Sequence, residues 1–306
     1  MKTVEIFRVY AWLAETFYRF GEITLAEINE RWVKTEMSGG VPMLRQTFNR
    51  YRRDMEEMYG MSVVCNKSRN TYYIADEGSL LQNEMKNWML DTLSVSNMVM
   101  ESASLKDRIL IEHIPAGIAY LRPIMNAMKE NRQLLVTYHK FGQEESYTIP
   151  VDPYAIKVFK QRWYLLGKTG KRDTPCVYAL DRMEGVEELY THFTLPADFS
   201  AKKFFQDCYG VFCDSKVKAQ RIVLRAYYPY VSYLRTLPLH SSQKELAEAS
   251  EYADFELYLR PTFDFKQELL AQGKDVEVLE PASLREDILQ MMKEMLERYG
   301  VKVAEN

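Results

Sequence analysis

The chain has 306 residues, 47% hydrophobic, 13% aromatic and 27% charged, with a formal net charge of −3. This is the composition of a folded protein of two or three domains, and it excludes a disordered, fibrous or strongly basic chain. A whole-chain sum conceals local basic patches, so the distribution of charge along the chain has to be read element by element.

The N-terminal MKTVEIFRVYAWLAETFYRF carries Val4, Phe7, Ala11, Ala14 and Phe17 at helical spacing and ends on Gly21. Glu5, Arg8, Glu15 and Arg19 interrupt it, so it does not read as a signal peptide, and no apolar run has the length of a membrane span. A cytoplasmic location is expected. In ITLAEINERWV, Thr24 and Glu27 have capping-box spacing for a second helix. Gly39 and Gly40 read as a loop, Pro42 as first-turn proline, and Gly60 as the stop of a long third helix.

On that third helix Leu44, Phe48, Tyr51, Met55 and Met58 form one apolar stripe. Gln46, Asn49 and Arg53 point away from it, with Arg45, Arg50 and Arg52 on its flanks. Glutamine and asparagine pair with adenine edges, arginine pairs with guanine, and further arginines meet phosphates, so this is the inventory of a recognition helix. Asp54, Glu56 and Glu57 confine the DNA-facing part to the N-terminal half. MSVVCNKSRNTYYIAD follows as two short strands with Lys67 and Arg69 at the tip, as in a wing touching the DNA backbone. A solvated charged face is the alternative. The capping box, basic helix and basic hairpin together, in winged-helix order, favour double-stranded DNA, with Arg45, Gln46, Asn49, Arg50, Arg53, Lys67 and Arg69 as contacts.

Residues 1–78 thus form a winged-helix domain and 79–132 a helical connector. Leu80, Leu81, Met85, Trp88, Met89, Leu93, Met98 and Met100 make the connector too apolar for a flexible linker. A strand-like RILIEHIP and a helix in PAGIAYLRPIMNAMKENR lead onward. From 133 to 195 the period becomes that of strands: QLLVTYHKF, EESYTIPVDPY, AIKVFK, RWYLLGKT, CVYALDR and GVEELY, which suit a small antiparallel barrel. Residues 196–214 read as a helical bridge. Residues 215–306 read strand, helix, strand, strand, helix, strand, helix, a two-layer α+β domain whose last helix follows Pro281 and stops at Gly300.

In RWYLLG, strand alternation places Trp163 and Leu165 on one face and Arg162, Tyr164 and Leu166 on the other. Tyr138, Tyr154, Lys157, Tyr178 and Arg182 lie on neighbouring strands. These tyrosines and cations fit an anionic, ring-bearing ligand such as single-stranded nucleic acid. They fit equally a tyrosine core in which Arg162 and Arg182 pair with Asp152, Asp181 or Glu184.

Trp-Tyr-Leu at 163–165, preceded by DPYAIKVFKQR and followed by YALDRMEGVEEL, closely resembles the signature of the WYL domain. The order of elements resembles the bacterial WYL-domain transcriptional regulators over essentially the whole chain. SYLRTLPLHSSQ and YLRPTFDFKQELLAQGKDVEVLEP resemble their C-terminal extension domain. The resemblance implies an α+β multidomain chain: winged helix-turn-helix, helical connector, Sm-like small β-barrel acting as ligand sensor, and ferredoxin-like C-terminal extension, usually in a homodimer. It places ligand contacts on Tyr154, Arg162, Tyr164 and Arg182, to which strand position adds Tyr138 and Lys157. The ligand implied is single-stranded DNA or a nucleotide.

The function expected is therefore ligand-responsive binding of operator DNA. GxxxxGK[ST], GxGxxG, HExxH and GxSxG are absent, so the rival reading of a nucleic-acid-processing enzyme has no motif behind it. A protein-interaction module without operator binding is the third reading. Cys65, Cys176, Cys208 and Cys213 form no CxxC pair and the four histidines are scattered, so no metal, disulfide framework or other cofactor is expected, and the thiols are expected to be reduced and buried.

Overall fold

The computed structural model describes residues 3–75, 117–170, 172 and 174–301. The chain divides into two compact units, Met1–Glu112 and His113–Asn306. The apolar positions from Leu80 to Met100 and the run RILIEHIP lie outside the described residues.

The first unit consists of α1 (Thr3–Phe20), β1 (Ile23–Thr24), α2 (Leu25–Trp32), α3 (Arg45–Tyr59), β2 (Val63–Asn66) and β3 (Thr71–Ile74). The capping box at α2 is formed: Glu27 N–H donates to Thr24 Oγ1 (3.2 Å) and Thr24 N–H donates to the Glu27 carboxylate (2.8 Å). Such a box satisfies two amide donors that a helix start otherwise leaves open. Gly60 ends α3 in the left-handed region (φ 60°), where an L side chain is strained. The hairpin β2–β3 turns over residues 67–70, and β1 adds a third strand against β3, giving the order β1-β3-β2. One core holds the unit, with Val9, Leu13, Phe17, Ile28, Phe48 and Met55 buried together and Phe48 edge-on to Tyr72 at 4.8 Å.

Three positions of the predicted stripes are not in that core: Phe7, Leu44 and Met58 are exposed. Leu44 is 74% exposed because α3 begins one residue later and Leu44 is extended (φ −67°, ψ 149°), outside the helical phase that would have buried it. Met43 is buried in its place, and Pro42 precedes the helix rather than entering its first turn.

The second unit opens with a short 3₁₀ turn and α4 (Leu121–Glu130), followed by β4 (Arg132–Tyr138), β5 (Tyr147–Phe159), β6 (Arg162–Lys168), β7 (Cys176–Ala179) and β8 (Met183–His192). These strands form one antiparallel sheet in the order β7-β6-β5-β4-β8. β7 and β8 lie at opposite edges yet are joined by only the three residues Leu180–Arg182, so the sheet must curl until its edges approach. β5, which the sequence divides into two runs, is one strand serving two partners. Tyr147–Val151 pairs with β4 and Asp152–Phe159 with β6, with a register shift between Pro153 and Ala155. An irregularity of that kind accommodates a proline that has no amide to give the ladder. α4 buries Ile124 and Ala127 against Leu134, Val136, Leu165 and Leu180.

The predicted helical bridge contains one five-residue helix, α5 (Ala201–Phe205), and otherwise consists of turns and irregular chain, with Cys208 joined to Arg260 by a β-bridge. In this segment Cys208 and Cys213 are joined in a disulfide, Cα atoms 5.9 Å apart, which corrects the expectation that all thiols are reduced. A CxxC search misses this pair because a turn of four residues, Tyr209 to Phe212, lies between the two. Cys65 and Cys176 are free.

The C-terminal part runs β9 (Gln220–Tyr227), α6 (Tyr230–Thr236), β10 (Lys244–Glu248), β11 (Tyr252–Leu259), α7 (Phe263–Ala271), β12 (Val276–Glu280) and α8 (Ala282–Arg298), the order of elements read from the sequence. Its sheet is antiparallel in the order β10-β11-β9-β12. Ile222 and Leu224 on β9, with Leu257 and Leu259 on β11, turn one face toward Phe265 and Leu269 of α7 and Leu284 and Ile288 of α8. Among the described residues, no helix is long and apolar enough to cross a membrane.

Candidate nucleic-acid interface and ligand site

On α3, Arg45, Gln46, Arg50 and Arg53 are exposed and Asn49 is half-buried. Burial of Phe48, Tyr51 and Met55 on the other side fixes which way this face looks. Arg52 is drawn back into the fold, donating to Val63 O at 2.7 Å and facing Glu56 at 3.5 Å. Two of the three carboxylates set against the arginines are also occupied internally. Asp54 accepts from Tyr10 Oη (2.7 Å), and Glu56 accepts from Val63 N–H (2.6 Å).

At the hairpin tip Lys67 is exposed, while Arg69 is exposed but faces the Glu22 carboxylate at 3.3 Å. Glu22 also accepts from Asn66 Nδ2 (3.0 Å) and from the Thr71 hydroxyl. These bonds, Thr71 first, hold its carboxyl below the usual carboxylate range. The sequence offers no local signal for this anchor, which lies more than forty residues from all three of its partners.

The six expected ligand contacts fall into two groups. Tyr138, Arg162, Tyr164 and Arg182 gather around the turn between β7 and β8. Tyr138 is buried at 5% exposure; its ring meets Tyr147 and Tyr178 edge-on, and its hydroxyl accepts from Ala179 N–H (3.3 Å). Burial raises its pKa. Arg162 is bound to Asp181, the structural ion pair that strand chemistry allowed as an alternative. That hydrogen bond raises the arginine's pKa further, and Tyr138 and Tyr164 lie close enough to add to the effect. Arg182 takes no carboxylate among the described residues. It donates to His139 O (3.2 Å), and its guanidinium lies over Tyr138 (4.9 Å) and Phe141 (4.1 Å). Phe141, 67% exposed on the hairpin between β4 and β5, was not singled out from the sequence, although an aromatic residue in an FGQ turn is the signal for it.

Tyr154 and Lys157, both on β5, form the second group. Tyr154 sits at the register shift in β5 and is buried with Leu166, stacked on Phe193 (5.8 Å) and edge-on to Phe199 (5.1 Å). Leu166, which strand alternation put on the ligand face, is therefore core as well. Lys157 faces Tyr164 across the ladder, donates to Gly210 O and lies over Phe205 at 4.2 Å. The shared arrangement can hold an anion or a ring at Arg182 and Phe141. At Tyr154 and Lys157 it packs the sheet against the following segment.

The model of the WYL domain matches residues 119–188. The chain contains a WYL domain. The matched span takes in α4 and all the strands of the curled sheet up to the middle of β8, and the model of the WCX domain matches residues 218–296, from just before β9 into α8. Solved structures that resemble this chain include the following two. One is proteasome accessory factor B/C (PafBC) of Arthrobacter aurescens, 16% identical, with 98% of this chain and 48% of that chain covered and a TM-score of 0.36. The other is a CRISPR Cas-related protein, 14% identical, with 96% and 85% covered and a TM-score of 0.41. The chain spans about half the length of the PafBC chain. No curated protein matches it.

Proposed function

We propose that this WYL-domain protein is a DNA-binding transcriptional regulator, without catalytic activity, whose WYL domain responds to a ligand. The observation that carries the reading is the exposed face of α3, where Arg45, Gln46, Arg50 and Arg53 stand clear of the core in a chain that also matches the WYL and WCX domains. In this reading the first unit is a winged helix: the N-terminal half of α3 enters the major groove and Lys67 and Arg69 approach the backbone. The curled sheet is the Sm-like sensor and the WCX part a ferredoxin-like extension. The working form is a homodimer on a two-fold operator.

The ligand proposed is single-stranded nucleic acid or a nucleotide, for which a ring–guanidinium surface at Phe141, Arg182, Arg162 and Tyr164 is suited. Coupling of about 1–3 kcal/mol between ligand and operator would change operator affinity several-fold to a hundred-fold. The test is selection of bound genomic fragments, followed by titration of the recovered duplex at several salt concentrations with and without a single-stranded oligodeoxynucleotide. Steep weakening with salt and a shift in affinity with the oligonucleotide are expected. Duplex cleavage in the presence of divalent metal, or binding indifferent to salt, would overturn the reading.

A further inference from the structure

Residues 206–214 join the curled sheet to the WCX part, and both sides reach into the turn. From the sheet, Lys157 Nζ donates to Gly210 O at 2.5 Å. From the start of α7, Asp264 Oδ2 accepts the amides of Val211 (3.0 Å) and Phe212 (3.3 Å). The Tyr209 ring meets Phe159 and Phe265, both at 5.6 Å. The fit leaves no slack: a Cβ on Gly210 would lie 2.5 Å from Asp264 Oδ2 and 2.6 Å from the Phe159 ring.

Cys208 and Cys213 bracket this turn and close it into a ring. We propose that Cys208 and Cys213 form a reversible dithiol–disulfide clasp that makes the junction between the WYL sheet and the WCX part sensitive to oxidants. With the bond formed, the turn presents Gly210 O to Lys157 and two amides to Asp264 at once. With the bond open, the turn has more conformations to lose before it can make those three hydrogen bonds, and the junction loosens.

Cys208 is buried and Cys213 is half-buried, which makes Cys213 the attacking sulfur. With a hydroperoxide as oxidant, the Cys213 thiolate attacks the outer peroxide oxygen. The O–O bond breaks, leaving a sulfenic acid and an alkoxide or hydroxide that takes up a proton. The Cys208 sulfur then attacks the sulfenic sulfur, the S–S bond forms, the S–O bond breaks and the hydroxyl leaves as water with the Cys208 proton. Two thiols lose two electrons and the peroxide gains them. A dithiol reverses the reaction by two exchange steps.

The proposal is independent of the DNA reading, and its test contains no DNA. The full chain is treated either with hydrogen peroxide or with dithiothreitol, then desalted. Free thiols are alkylated under denaturing conditions and located by peptide mass. Native samples are followed by amide hydrogen exchange over residues 206–214 and by acylation of Lys157. In the oxidised sample Cys208 and Cys213 are expected to resist alkylation while Cys65 and Cys176 react. In the reduced sample, exchange at Val211 and Phe212 and acylation of Lys157 are expected to rise several-fold. Cys213→Ser should behave as reduced protein under both treatments; if that variant does not fold, the two states of the unaltered chain carry the comparison. Alkylation of both cysteines after peroxide would overturn the proposal, as would a bond that forms while exchange and Lys157 reactivity stay the same.

Discussion

Arg162 donates to one carboxylate oxygen of Asp181, and the other oxygen of that carboxylate is buried without a protein partner among the described residues. The pair sits beside Tyr138, at the end of the sheet where the ligand is proposed to bind. Removing the guanidinium leaves a largely buried carboxylate unpaired, which costs about 1–3 kcal/mol. Arg162→Ala should therefore lower the urea midpoint, and adding Asp181→Asn should recover part of the loss. In the same Arg162→Ala protein, duplex binding should persist while the response to a single-stranded oligodeoxynucleotide disappears. An unaltered response would remove Arg162 from the ligand site.

Arginines next to each other on α3 have opposite duties. Arg53 is exposed, whereas Arg52 holds Val63 O and Glu56. Arg53→Ala and Gln46→Ala should abolish specific duplex binding and change stability by no more than about 0.5 kcal/mol, as exposed substitutions generally do. Arg52→Ala should cost about 1–2 kcal/mol by freeing the hairpin carbonyl. Chemical denaturation and fluorescence anisotropy on the three variants separate these duties. Equal stability losses would contradict the assignment.

Glu22 accepts hydrogen bonds from Thr71, Asn66 and Arg69, which tie the turn after α1 to the hairpin. Its pKa is lowered in the folded chain, so the unfolded chain binds more protons there. The stability it contributes is present above the unfolded carboxylate pKa and is lost as pH falls through the folded one. Glu22→Gln should flatten the acid limb of the first unit's melting curve. It should also raise affinity for duplex DNA and steepen the salt dependence, because Arg69 is released and a negative charge beside the hairpin is removed. Unchanged salt dependence would show that Arg69 stays off the DNA.

Local signals were read well, and long-range ones were not. Thr24 and Glu27 are three residues apart, and the capping box is formed as read. Lys67 and Arg69 fall at a turn that four-residue strands define on either side. The strand–helix alternation after residue 215 is equally plain, because Ile222, Leu224, Leu257 and Leu259 alternate in the strands and Phe265 and Leu269 step by four in the helix. Leu44 went wrong because helical phase does not state where a helix begins. Leu166 was put on the ligand face by strict alternation, yet it is buried with Tyr154 where the register shifts between Pro153 and Ala155. Lys157 meets Gly210 at a separation of 53 residues, and no periodicity reports such a meeting. The placement of the six proposed ligand contacts was half legible for the same reason: four gather near the turn between β7 and β8, while Tyr154 and Lys157 pack against the segment that follows β8.

Lys157 supplies the last prediction. Burial lowers its amine from an ordinary 10.5 to about 8, against the opposing pull of Asp264 on α7; His240, before β10, is close enough for the lysine's charge to disfavour its own. Below pH 8 both folded and unfolded chains carry the proton, and the cost of burying the charge is constant. Between about pH 8 and 10.5 the unfolded chain binds more protons than the folded one, so this lysine makes stability rise with pH across that window. Lys157→Met should remove that rise, at a pH-independent cost of about 1 kcal/mol for the Gly210 carbonyl left without its donor. Tyrosines titrate in the same range, so the quantity to measure is the difference in urea midpoint between the two proteins at pH 7, 8, 9 and 10. The difference should move steadily in favour of the unaltered chain as pH increases. A difference independent of pH would mean that the ammonium keeps its ordinary proton affinity inside the junction.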